Sequence, residues 1–118
     1  MNEKIKPIVL TDTETNKSYT LEFSRDSVSF AEQRGFLIED MEKYPQTKVR
    51  EFFWYAFRMH HKNLAKVNTD ALLEKWFGGV ADIPEAIIER LAELWSATFT
   101  TSTGDDEEPK KDNVMVEM

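Results

Sequence analysis

Residues 52–57 read Phe-Phe-Trp-Tyr-Ala-Phe, five aromatic residues in six positions, inside a stretch whose apolar spacing is otherwise helical. Successive residues on a helix turn by about 100°, so these rings point to every side of it. One buried stripe cannot absorb them all. Either this helix runs through the middle of a small domain, or part of its surface is kept for a partner.

The chain has 118 residues, which suits one domain, and 41% hydrophobic content, which supports a true core without a metal or disulfide. It has no cysteine, which removes disulfides, thiolate catalysis and thiolate metal sites and fits a reducing compartment. The formal charge of −7 repels phosphate backbones and anionic lipid, so neither nucleic acid nor membrane is expected as a partner. Lys4 and Lys6 are followed by no apolar run of a signal-peptide kind, and no stretch is long and apolar enough to span a bilayer. A cytoplasmic protein is expected.

The pattern predicts an α+β fold, mostly α: an N-terminal β-hairpin packed on a bundle of about four helices, followed by a disordered acidic C-terminal tail. Strands are expected over residues 7–12 and 18–23, where Tyr19, Leu21 and Phe23 alternate with Thr20 and Glu22. A polar link between them suits a hairpin. Ser24 is placed to cap a helix from Arg25 to Arg34, with Val28 and Ala31 buried, Phe30 widening that edge, and Gly35 ending the helix in left-handed geometry. Phe36, Leu37, Ile38 and Met41 make a short apolar connector, with room for one more helical turn, that Pro45 stops. Thr47 then caps the central helix, Lys48 to about Lys62. Val49, Phe52, Phe53, Ala56, Phe57 and His60 form its stripe, and Trp54, Tyr55, Arg58 and Met59 lie off it.

A third helix starts at Asn68 or Thr69, buries Leu72, Leu73, Trp76 and Phe77, and ends at Gly78-Gly79. Asp82-Ile83-Pro84-Glu85 has the form of a capping box opening a fourth helix, from about Ile83 to Phe99. Its stripe is Ile87, Ile88, Leu91, Trp95 and Phe99; Glu85, Glu89, Arg90 and Glu93 face water. Composition breaks at Thr100. The domain is therefore read as residues 1–99, and residues 100–118 as a flexible acidic tail ending in the short apolar motif Val114-Met115-Val116-Glu117-Met118.

No pattern points to catalysis. His60 and His61 are neighbours on a helix and point about 100° apart, so they do not chelate one ion as an i, i+4 pair does; a partly packed His60 and an exposed His61 are expected. The carboxylates fall on a polar helix face or in the tail, where solvation is the default. The Asp105–Glu108 run lacks the spaced ligands of a calcium loop. Gly78-Gly79 follows no strand and precedes no phosphate-binding lysine. We expect no enzyme, no catalytic residue, no cofactor and no metal.

What remains is protein binding. Two readings of Trp54 and Tyr55 stand: second-face core and partner surface. Two readings of the tail stand as well: a frayed end, and a peptide that docks by strand addition through Val114, Val116 and Met118, which alternate with Met115 and Glu117. A linker of about 13 residues spans roughly 20 Å, enough to reach its own hairpin or a neighbour. The candidate protein-binding residues are Trp54, Tyr55, Arg58, Met59, Val114, Met115, Val116 and Met118.

The strand and helix "YTLEFSRDSVSFAEQRGF", then "TKVREFFWYAFRMHHKN", "TDALLEKWFGG", "IPEAIIERLAELW" and the terminal "VMVEM" occur in this order. This arrangement resembles a family of small proteins encoded by phages and prophages of Gram-positive hosts, long catalogued as a domain of unknown function. Members of that family are similar to the tail assembly chaperones of long-tailed phages. The resemblance covers about residues 18–99 plus the end of the chain, and none of its pieces is a catalytic signature. It implies a non-enzymatic protein that coats the tape measure protein in the host cytoplasm and is absent from the mature virion. It also implies contact with the major tail tube protein by a form lengthened through frameshifting; repeated binding along a rod-like client would favour homo-oligomers through a head-to-tail interface. The rival expectations are a structural head–tail or tail component of the virion and a general cytoplasmic adaptor.

Overall fold

The computed structural model describes residues 5–99 and 114–118. Strands β1 (Ile8–Asp12) and β2 (Ser18–Leu21) lead into α1 (Arg25–Gln33), the single turn α2 (Asp40–Lys43), the central α3 (Pro45–Arg58), α4 (Lys66–Phe77), a 3₁₀ turn (Val80–Asp82) and α5 (Glu85–Ala97). The chain closes on β3 (Val114–Glu117). The fold is α+β and mostly helical, as the pattern predicts.

The predicted hairpin is present, with Ile8 opposite Leu21 and Leu10 opposite Tyr19. It is not the whole sheet. β3 pairs antiparallel with the other side of β1, so the strand order is β2-β1-β3 and β1 is central. Period-two alternation turns Ile8, Leu10, Tyr19, Leu21, Val114 and Val116 to one buried face. Of the two readings of the tail, docking by strand addition is the one realised, on the protein's own hairpin. The stretch expected to be disordered, residues 100–113, lies outside the described residues.

The aromatic run finds its place because α3 runs through the middle. It packs against β2, α1, α2 and α4. Phe52 lies 5.1 Å from Phe23 and 5.8 Å from both Phe36 and Trp95, measured between ring centroids. Phe57 meets Tyr19 and Trp76 on another side. Tyr55 points a third way, into Phe36 and Phe30. Rings around most of the helix circumference are thus covered, and of the six residues only Trp54 is less than fully buried.

Several boundaries differ from the sequence reading. α2 ends at Lys43, before Pro45 as expected, but Pro45 also opens α3, because a proline in the first turn gives up an N–H that has no partner there anyway. The helix ends at Arg58, well before Lys62. α4 starts at Lys66; Thr69 does not cap it but lies inside the first turn, its hydroxyl donating to the Lys66 carbonyl at 2.9 Å. The expected capping box at Asp82 does not form, because Asp82 is taken up by the 3₁₀ turn and Pro84 becomes the N-cap of α5. Ser24 caps α1 as expected, with Ser27 completing a reciprocal box. Gly35 and Gly78 both adopt φ of +87°, the left-handed exits their positions suggest.

Two residues expected on the fourth helix exchange their expected roles. Arg90, read as water-facing, is 2% exposed and donates to the Lys6 carbonyl at 3.3 Å, tying α5 to the strand entering β1. Phe99, read as stripe, lies past the helix end and is exposed.

Candidate protein-binding surface

Trp54 and Arg58 are four residues apart on α3. Phe30 and Arg34 are four apart at the end of α1. Each aromatic therefore has an arginine one turn on, on the same helix face. Packing of α1 on α3 brings the two pairs together. The Phe30 and Trp54 rings meet edge to face at 6.0 Å. The Arg58 guanidinium lies over the Phe30 ring at 3.8 Å, and that of Arg34 lies 5.5 Å from Phe30 and 5.3 Å from Trp54. The Trp54 indole N–H donates to the Leu64 carbonyl at 3.1 Å, pinning the loop after α3 to the patch.

The result is a half-buried aromatic platform with two cations stacked on it. A guanidinium held by a ring face keeps its N–H donors at its edge, where they meet acceptors while its own desolvation is partly offset by the ring; Arg34 already gives one of them to the Tyr55 hydroxyl. Trp and Arg are also the residue types that dominate binding energy at protein interfaces. In a chain of net charge −7 this patch concentrates positive charge where apolar surface is accessible.

The other predicted contact residues separate. Tyr55 is 2% exposed and belongs to the core; burial pushes its hydroxyl pKa up, opposed by a hydrogen bond from Arg34. Met59 is half-buried at the C-cap of α3. Val114, Val116 and Met118 are buried in the fold itself, and of the tail residues named only Met115 is exposed. Pairing with β1 consumes the alternation that made the tail look like an interface motif. Phe30 and Arg34 were missing from the sequence-level set. Their i, i+4 spacing repeats that of Trp54 and Arg58, which is the signal that points to them.

Two polar clusters flank the sheet. Asp12 is 1% exposed at the end of β1. Its carboxylate accepts from the Trp76 indole at 3.1 Å and from Lys75 at 2.9 Å, and takes the backbone N–H groups of Glu14 and Thr15 in the hairpin turn. The Lys75 ammonium beside it, more than burial opposes, holds its pKa well below the usual carboxylate range; Lys75 is raised in turn, first by Asp12 and then by Glu14. This cluster bolts the hairpin to α4.

At the β2 edge the backbone N–H of Thr20 donates to His61 Nε2 at 3.0 Å, and that of Glu22 to the Ala56 carbonyl at 3.1 Å. The free edge of β2 is thereby covered by the end of α3. His60 instead reaches Glu22, at 2.9 Å. The expected roles of the two histidines are reversed, because α3 stops at Arg58 and the stripe loses its phase before His60. Burial depresses the His61 pKa, and the nearby charges of His60 and Lys17 lower it further. A depressed folded-state pKa means the unfolded chain binds protons more readily below about pH 6.5. The fold is therefore expected to lose stability as pH falls from there toward the folded value. Urea midpoints at neutral and mildly acidic pH should converge in His61→Gln, which retains an acceptor but does not titrate.

Among the described residues no group of three or more His, Asp or Glu is placed to hold a metal ion, and no helix is long and apolar enough to cross a membrane. A shallow groove of about 340 Å³ lies between α1 and the end of α5, lined by Arg25, Val28, Ser29, Glu32, Thr98 and Phe99. The family model described as Domain of unknown function (DUF5055) matches residues 1–118. The chain belongs to this family. No curated protein and no solved structure matches it. The DUF5055 description assigns no activity, so the Phe30–Trp54 platform is the feature from which a role is argued.

Proposed function

We propose that this protein is a non-enzymatic tail assembly chaperone of a tailed phage or prophage. In this reading it works in the bacterial cytoplasm and stays out of the mature virion. It binds the tape measure protein while the tail is being built, and a form lengthened through frameshifting contacts the major tail tube protein. The observation that carries the reading is the accessible aromatic platform of Phe30 and Trp54 under the guanidiniums of Arg34 and Arg58. A holdase needs apolar surface rimmed by charge, so that it grips amphipathic helical segments and remains soluble. The platform supplies the grip, its arginines select segments that carry carboxylates, and the net charge of −7 supplies solubility. The order of segments shared with the phage family directs the choice of client.

Co-purification with a tape measure fragment, and suppression of that fragment's aggregation, test the proposal. Trp54→Ala and Arg58→Ala are each expected to weaken binding about tenfold or more, as interface Trp and Arg truncations do. Tyr44→Ala, exposed but at the opposite end of α3, should leave it unchanged. Retention of full affinity by the Trp54 and Arg58 variants would remove the platform from the reading. Recovery of the protein from purified virions would favour a structural tail component instead.

A further inference from the structure

The two edges of the sheet are filled in different ways. Beyond β2 the edge is closed by α3, through Glu22 to Ala56 and Thr20 to His61. Beside β1 the position is filled by the last residues of the chain. Those residues bind as a peptide ligand would. They pair with β1 from Val9 opposite Glu117 to Asp12 opposite Val114, and they bury Val114, Val116 and Met118 at 1%, 8% and 6% exposure. Main-chain pairing supplies affinity and alternate side-chain pockets supply specificity.

The segment that joins this strand to α5 is long enough to let it reach a second copy. Residues 100–113 separate it from Phe99, and those fourteen residues contain no aliphatic Val, Ile, Leu or Met and no aromatic side chain. A connection of that length reaches roughly 45–50 Å when stretched, whereas the longest dimension of the protein is 36 Å.

We propose that the slot beside β1 is an exchangeable strand-acceptor site and that its second occupant is the Val114–Met118 strand of another copy of this chain. Exchange preserves every contact of the closed form, because the arriving strand is chemically identical to the departing one. The tether sets the competition. It presents the protomer's own strand at an effective concentration of the order of millimolar, so dilute protein stays closed. Exchange sets in when copies are concentrated or held side by side. Reciprocal exchange closes a dimer; one-way exchange links copies head to tail. The inference is independent of the client proposed above, and its test uses this protein alone.

The absence of cysteine makes the test direct. Thr11 and Met115 are directly opposed across β1 and β3, at a spacing that suits a disulfide. Thr11→Cys and Met115→Cys, made in separate full-length chains with one isotope-labelled, are mixed and oxidised. The 11–115 bond between labelled and unlabelled chains is then quantified by mass spectrometry. Its yield should rise with concentration and, at about 1 mM, exceed by about tenfold the yield from Lys17→Cys paired with Met115→Cys. The double variant Thr11→Cys/Met115→Cys should close within one chain when dilute. Val9→Cys with Glu117→Cys repeats the measurement at a second pair of the same register. Inter-chain yields that stay at the Lys17 control level for both pairs, while the double variants close internally, overturn the proposal. Failure of both double variants to close overturns it too, by removing the slot.

Discussion

Phe52→Ala is expected to destabilise the fold by about 3–5 kcal/mol. Phe52 is fully buried at the point where α3, the segment after β2, the segment after α1, and α5 converge. Its ring stacks on Phe23 and Phe36 and meets Trp95. Truncation removes the transfer free energy of the ring and leaves a cavity whose walls are three other aromatic side chains, each held by contacts of its own. Such walls collapse poorly, which places the cost toward the upper end. Domains of this kind have a total stability of about 5–15 kcal/mol, so a large share of it would be lost. The expected fall in Tm is about 10–20 °C. Urea unfolding measures the free-energy change and thermal unfolding the Tm, both followed by tryptophan fluorescence, since Trp95 reports on the same cluster. Phe99→Ala is the matched control: Phe99 is 62% exposed, and its loss should fall within about 0.5 kcal/mol of zero. Equal effects at the two positions would contradict the packing described.

Asp12→Ala is the polar change with the largest expected effect. It removes the partner of a buried indole N–H, one of the two carboxylates paired with Lys75, and the acceptor for two N–H groups of the hairpin turn at one stroke. Unpaired buried donors cost more than a lost surface bond, because they forgo water as well. Asp12→Asn should cost less, since an amide oxygen still accepts from Trp76 or the turn, but it abolishes the charge. The pH dependence separates the two contributions. The Asp12 pKa is depressed in the folded protein, so its stabilisation is present above the unfolded carboxylate value of about 3.9 and disappears as pH falls toward the folded value. The Lys75 pKa is raised, so its share is present below about 10.4 and disappears as pH rises through the folded value. Wild-type urea midpoints should therefore fall at both ends of that window. Both Asp12 variants should have lower midpoints inside it and a smaller fall at each end. A variant that kept the wild-type acid limb would mean that other carboxylates cause it.

The composition of this chain suggests surplus aromatic surface, and most of that surplus is internal. The sequence carried the information for local elements: the Tyr19/Leu21 alternation of β2, the Ser24 cap, and the left-handed exits at Gly35 and Gly78. Those signals act over a few residues and are written in residue types. The limits of α3, by contrast, depended on where a proline is tolerated and on where neighbouring segments cross the helix. The Asp12 cluster was invisible, since an aspartate beside a turn reads as solvated until Lys75 and Trp76, more than 60 positions away, are brought to it. The candidate surface divides in the same way. Trp54 and Arg58 were legible from their place off the stripe, whereas Phe30 and Arg34 join them only through the packing of α1 on α3.

The amino-acid sequence by itself determined that this is a small acidic α+β chain, organised about a helix with rings on every side. Hydrophobic spacing and turn chemistry are local and survive without knowledge of the fold. Only the tertiary structure decided which of those rings are covered, and that the final residues complete the sheet. Burial depends on which distant segments meet, and a four-residue strand acquires a face only when another strand lies beside it.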